Sequence, residues 1–83
     1  MKFEEIIKDI KKGKIFTDGV NIYRYKKMFV ERLELDLKYD DRRKPYWTGR
    51  NSTISLETLF HNDWKIVESK NELNQFISEH IRL

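Results

Sequence analysis

Eighty-three residues make a single domain near the size at which one core only just suffices, and no cysteine is present to add a disulfide or a thiolate metal site. The composition, 39% hydrophobic and 37% charged, is polar for a globular chain, yet 13% aromatic residues argue against disorder. A formal net charge of +3, with 17 basic and 14 acidic residues interspersed, allows a modest attraction to anions and excludes a polybasic tail.

The first segment, 2–12, has a helical period: Phe3, Ile6, Ile7 and Ile10 share a face, while Glu4, Glu5, Lys8, Asp9, Lys11 and Lys12 cover the rest. Acids at the start and lysines at the end suit the helix dipole. Gly13 follows where a left-handed residue is wanted. The apolar stripe is expected either in the chain's own core or against a second copy. The opening residues have neither the apolar run of a signal peptide nor the length of a membrane span, and with the missing cysteines they point to the cytoplasm.

From Lys14 to Tyr39 the period is two. Asp18-Gly19, between Ile15-Phe16-Thr17 and Val20–Tyr25, predicts a two-residue hairpin with a type I′ turn. A second turn near Lys26-Lys27 leads into Met28–Leu37, where Leu33, Leu35 and Leu37 alternate with Arg32, Glu34 and Asp36. Asp40-Asp41-Arg42-Arg43-Lys44-Pro45 reads as an exposed turn. Tyr46-Trp47-Thr48 fits a short strand or loop edge, followed by a polar Gly49-Arg50-Asn51-Ser52.

Ser55 is a suitable N-cap for a short helix over 55–62, with Ile54 and Leu59 spaced as a hydrophobic staple and Leu56, Leu59 and Phe60 on one face. Trp64 to Val67 reads as a final strand, Trp64 being core. Ser69-x-x-Glu72 then predicts a capping box opening a helix over about 70–82, with Leu73, Phe76, Ile77 and His80 as its stripe. The order gives one α+β domain: an antiparallel sheet with an N-terminal helix, a short internal helix and a C-terminal helix.

No catalytic site is legible. There is no cysteine nucleophile and no strained serine elbow, and His61 and His80 fall on different helices without metal-ligand spacing. No metal site and no cofactor are expected. Arg42-Arg43-Lys44 beside Tyr46, Trp47 and Arg50 is the one place where aromatic faces adjoin guanidinium groups, the pairing that a base and a phosphate require. If a nucleotide binds, Tyr46 and Trp47 are the stacking faces and Arg50 the phosphate fork. Asn51 and Ser52 supply hydrogen bonds, and Arg24 and Tyr25 are second contributors. The alternative is that Tyr46 and Trp47 fill the core while Arg50 faces water.

Both ends of residues 1–68 resemble a family of small phage proteins, the Thoeris anti-defence sponges, some relatives of which are grouped with anti-CRISPR proteins. Phe3-Glu4-Glu5-Ile6-Ile7-Lys8-Asp9-Ile10-Lys11-Lys12-Gly13-Lys14 is similar to that family's F-x-E-A-L-x-x-L-K-x-G-K opening. Trp47 and Ser52, then Leu56 through Asp63-Trp64-Lys65-Ile66-Val67, are similar to its W-x-x-S-x-x-D-L-L-A-x-D-W-x-I-V close. The chain departs from the pattern at Phe16-Thr17-Asp18-Gly19, where the family carries a basic residue, a tryptophan and a glycine. It departs again at Phe60-His61, and the 69–83 helix is an addition. The resemblance implies a non-enzymatic protein that forms a dimer or tetramer and sequesters a defence signal, a cyclic ADP-ribose isomer or a cyclic oligonucleotide. Two other classes stay open: an inhibitor acting by protein–protein contact, and a small nucleic-acid-binding accessory protein.

Overall fold

The computed structural model describes residues 1–39, 41 and 43–82. The predicted turn at 40–45 and its basic run therefore lie partly outside the described residues, at Asp40 and Arg42. Helix α1 spans Phe3–Lys11 and closes on Gly13, whose φ of +88° suits glycine. The Gly13 N–H donates to the Ile10 carbonyl at 2.9 Å and the Lys14 N–H to the Asp9 carbonyl at 3.2 Å, the paired bonds of a Schellman end. Strands β1 (Ile15–Thr17), β2 (Ile22–Lys26), β3 (Phe29–Glu34) and β4 (Tyr46–Trp47) follow, then helix α2 (Leu56–His61), strand β5 (Lys65–Val67) and helix α3 (Lys70–His80).

The sheet is antiparallel throughout, in the order β4-β3-β2-β1-β5. Its register decides which side chains meet. The pairs Phe16↔Tyr23, Phe16↔Ile66 and Tyr23↔Arg32 put those residues on one face, which we call the first; Glu34↔Tyr46 continues it. Thr17↔Ile22, Arg24↔Glu31 and Leu33↔Trp47 lie on the second.

Helix α1 covers part of the first face. Ile6 and Ile10 join Phe16, Tyr23, Trp64 and Ile66 in one cluster, with Phe3, Val30, Ile54 and Leu59 packed around it. The stripe on α1 is thus used inside the chain. Trp64 is fully buried, its ring 5.2 Å from Phe3 and 5.8 Å from Phe16 by centroids. Its indole N–H has no hydrogen-bond partner among the described residues. Helix α3 closes the second face, where Leu73, Phe76 and Ile77 pack on Ile22, Leu33 and Leu35. After α3, the Arg82 N–H donates to the Leu35 carbonyl and the Leu37 N–H to the Arg82 carbonyl, so the chain end adds a parallel bridge beside the continuation of β3. The 69–82 segment supplies a whole layer of the domain.

Three local expectations change. The type I′ geometry is not at Asp18-Gly19. Thr17 pairs with Ile22, leaving a four-residue loop in which the Asp18 carboxylate accepts from the Val20 and Asn21 N–H groups at 2.9 and 2.8 Å. Thr17 Oγ1 also accepts from the Gly19 N–H and donates to the Asn21 carbonyl. A carboxylate that bonds the backbone two and three residues on makes the longer loop the better satisfied one. The two-residue turn is instead Lys27-Met28, with φ of 51° and 71° between the paired Lys26 and Phe29. Second, of the three large apolar residues of α2, Leu59 packs on the core. Leu56 and Phe60 stay 67% and 69% exposed. Third, Ser69 caps the Glu72 N–H, but the Glu72 carboxylate returns to the Glu68 N–H rather than to that of Ser69.

Candidate functional site

Tyr46 and Trp47 are neighbours on a strand, so their side chains point to opposite faces. That separates the predicted site. On the second face, the Arg24 guanidinium lies 4.2 Å from the centre of the Trp47 ring, and its Nε donates to Glu31 at 2.8 Å. Glu31 is only 3% exposed and its other oxygen accepts from the Gly49 N–H at 3.1 Å. Burial works to raise the Glu31 pKa, but the bonds from Arg24 and Gly49 and the Arg24 charge outweigh it and hold the carboxyl below its ordinary value. Trp47 here packs against the Ile22–Leu33–Leu35 cluster. Arg24 and Trp47 are brought together, but as a mutually satisfied unit.

On the first face, beyond the reach of α1, lies a groove made of two adjoining cavities that share Asn21 and Arg32. The smaller, about 260 Å³, is lined by Asn21, Tyr23, Arg32, Thr48, Arg50, Asn51, Ser52 and Thr53 and contains no carboxylate. The larger, about 700 Å³, includes Tyr46 with Arg32 and Arg82, and also Glu34, Asp36 and Asp41. Four of the seven predicted binding residues, Tyr46, Arg50, Asn51 and Ser52, therefore line this groove. Trp47 and Arg24 lie on the other face, and the exposed Tyr25, next to the Lys27-Met28 turn, lines neither cavity.

The wall at 48–52 is built by backbone pairing that irregular sequence conceals. The Thr48 N–H donates to the Arg32 carbonyl and the Ser52 N–H to the Val30 carbonyl, at 3.0 and 2.7 Å. Between them Asn51 stands in for a strand residue, its Oδ1 accepting from the Val30 N–H at 3.1 Å. Gly49, with φ of 70°, makes the detour possible. The Asn51 carbonyl oxygen is thus committed to the scaffold, while Arg50 is carried outward, exposed and in no ion pair among the described residues.

Sequence reading misses Arg32, Tyr23 and Asn21 as lining residues. Arg32 looks like the wet half of an alternating strand, and only the β2–β3 register places it beside Tyr23. The Tyr23 hydroxyl is pushed above its ordinary pKa by burial first and by Asp18 second, against opposing effects of Asn21 and Arg32. It therefore stays protonated at neutral pH and available as a hydrogen-bond donor. The arrangement offers guanidinium forks, a phenol and short polar side chains, suited to holding an anion and the polar body attached to it.

His80 stacks on Phe76 with centroids 4.0 Å apart, and its Nδ1 sits 2.9 Å from the Phe76 carbonyl, while His61 is exposed at the end of α2. Among the described residues, no group of three or more His, Cys, Asp or Glu side chains is placed to hold a metal ion. Among them, too, no helix is long and apolar enough to cross a membrane. Compared with protein-family models, with curated proteins and with solved structures, the chain finds no match.

Proposed function

We propose that this protein is a non-enzymatic binding protein whose groove takes up a phosphate-bearing small molecule. The single observation that carries the reading is the carboxylate-free cavity where Arg32 and Arg50 line the same space as Tyr23 and Asn21. An anion placed there meets forked donors from Arg50 and Arg32 with no acid among the residues lining that cavity; the acid paired with Arg32, Glu34, lines the adjoining cavity. At about 260 Å³ this cavity is below the usual volume of a small-molecule site, so it accommodates a phosphate group, and the adjoining 700 Å³ beside Tyr46 takes the rest of the ligand.

In its sharper form, drawn from the resemblance to Thoeris anti-defence sponges, the ligand is a cyclic ADP-ribose isomer or a cyclic oligonucleotide. The protein then acts as a phage anti-defence factor in the host cytoplasm, sequestering the signal as a dimer or tetramer. Because α1 spends its apolar stripe on the chain's own core, the exposed Leu56 and Phe60 of α2 are the surface offered for self-association. Mass spectrometry of small molecules released by denaturing the purified protein tests the ligand, followed by calorimetry with the compound found. Saturable binding that varies little with salt supports the sponge. A preparation that releases nothing and gives no heat with cyclic nucleotides overturns it.

A second reading is inhibition by protein–protein contact. It is favoured by the same α2, a helix with no buried residue, two of whose three large apolar side chains face outward. Co-purification of a host protein that is lost on Leu56→Ser plus Phe60→Ser identifies that case. Steeply salt-dependent binding to single-stranded DNA identifies a nucleic-acid accessory protein instead.

A further inference from the structure

Two arginines on neighbouring strands are held in opposite ways. Arg24 is locked on the second face by a carboxylate that is almost wholly buried and is itself anchored by a backbone N–H. Arg32, one residue away from Glu31 on β3, pairs with Glu34 instead. Its Nη2 donates to Glu34 Oε2 at 3.0 Å, with the two side chains 37% and 21% exposed. An ion pair of this exposure is weak. Glu34 Oε1 accepts from the Asp36 N–H at 2.9 Å, which ties the carboxylate to its own strand toward the larger cavity. Arg32 lines both cavities, whereas Glu34 lines only the larger. The guanidinium, with five N–H donors, thus stands at the boundary with one of its nitrogens engaged by Glu34.

We propose that Glu34 is a built-in competitor for the anion of this groove: an incoming phosphate takes Arg32 from Glu34, and the ligand's affinity is set by that exchange. The proposal rests on the phosphate-binding reading and refines it. The ligand it fits is a compact group with at least two anionic oxygens, able to bridge Arg32 and Arg50. Its attached body must tolerate the acid-lined side of the groove, so it is neutral or cationic where it passes Glu34 and Asp36. A uniformly anionic polymer does not meet that condition. Glu34 then acts as a specificity residue: it weakens every anion, but weakens most those that bring negative charge to both cavities.

The experiment titrates inorganic pyrophosphate into the full chain at low salt, following arginine Nε–H resonances by NMR and heat by calorimetry. Wild type should bind with the Arg32 and Arg50 signals moving together. Glu34→Gln, which keeps the shape and one acceptor oxygen for the Asp36 N–H but loses the charge, should bind about fivefold more tightly, the scale of one exposed ion pair. Asp36→Asn removes the same charge from the same cavity, yet Asp36 pairs through its backbone with Arg82 rather than with Arg32. Its effect should stay below about twofold, as expected of screened charge alone. Adding Arg32→Gln to Glu34→Gln should abolish the gain. Equal tightening by Glu34→Gln and Asp36→Asn overturns the competition while leaving the phosphate site intact. Failure of both wild type and Glu34→Gln to bind pyrophosphate overturns the binding reading itself.

Discussion

The two faces of the sheet carry similar residues and do different things with them. Each has an arginine on the central strands, a nearby glutamate and an aromatic residue from β4: Arg24, Glu31 and Trp47 on the second face, Arg32, Glu34 and Tyr46 on the first. On the second, helix α3 packs beside the group and Glu31 is removed from water, so every charge is matched by a close partner. On the first, α1 stops short and leaves Arg32 partly wet beside Arg50. The residue types therefore do not distinguish a scaffold from a site. What covers them does, because an ion pair is held firmly only where water is excluded and the remaining lone pairs are satisfied.

The largest effect expected along this contrast is in the covered part of the first face. Trp64→Ala should destabilise the fold by about 3–5 kcal/mol in chemical denaturation, since it removes the largest fully buried side chain. Trp64→Phe should cost clearly less, because it also removes the buried N–H that has no partner among the described residues.

Next comes the locked pair. Glu31→Ala should cost about 2–3 kcal/mol by stranding Arg24 and the Gly49 N–H. The pH dependence has a fixed sign. The Glu31 pKa is lowered by folding, so its contribution is fully present above the ordinary carboxylate value and is lost as pH falls through the lowered one. Acid denaturation of Glu31→Gln should accordingly be shallower than that of wild type.

A paired comparison of Trp47→Ala and Arg50→Ala then separates the faces. Trp47→Ala should lower stability by about 2 kcal/mol, as a half-buried aromatic in the second core, and leave pyrophosphate affinity unchanged. Arg50→Ala should leave stability within about 0.5 kcal/mol and weaken pyrophosphate binding about tenfold, as the loss of a charge-assisted contact. The opposite pattern would place the site on the second face. The smallest effect is at the hairpin tip: Lys27→Asn with Met28→Gly should stabilise by about 1 kcal/mol, because non-glycine side chains there occupy the left-handed region.

How much of this was legible differs by kind of feature. Helix α1 and its Gly13 end, the Ser55 and Ser69 caps, and the buried Trp64 could be read because each depends on residues a few positions apart. Asp18-Gly19 does not form the two-residue turn that its glycine suggests, because the Asp18 and Thr17 side chains bond a longer loop. Lys27-Met28 carries no turn chemistry of its own, and it is tight because the strands on either side pair fully. For the groove, the segment 46–52 was legible as a locus, through its mixture of aromatic, guanidinium and amide side chains. Its division was not: Trp47 and Tyr46 differ by one position, and a two-residue period sends them to opposite sides.

By itself the sequence determined the elements, their order and one α+β domain with an antiparallel sheet, since hydrophobic period and capping chemistry act over a single turn or strand. Tertiary structure decided the rest. Strand register put Arg32 with Tyr23 and Arg24 with Glu31, packing took Glu31 out of water and left Glu34 partly in it, and the return of 48–52 along β3 carried Arg50 to the same groove. Those outcomes depend on contacts between residues far apart in the chain, where no local pattern records which face will be covered.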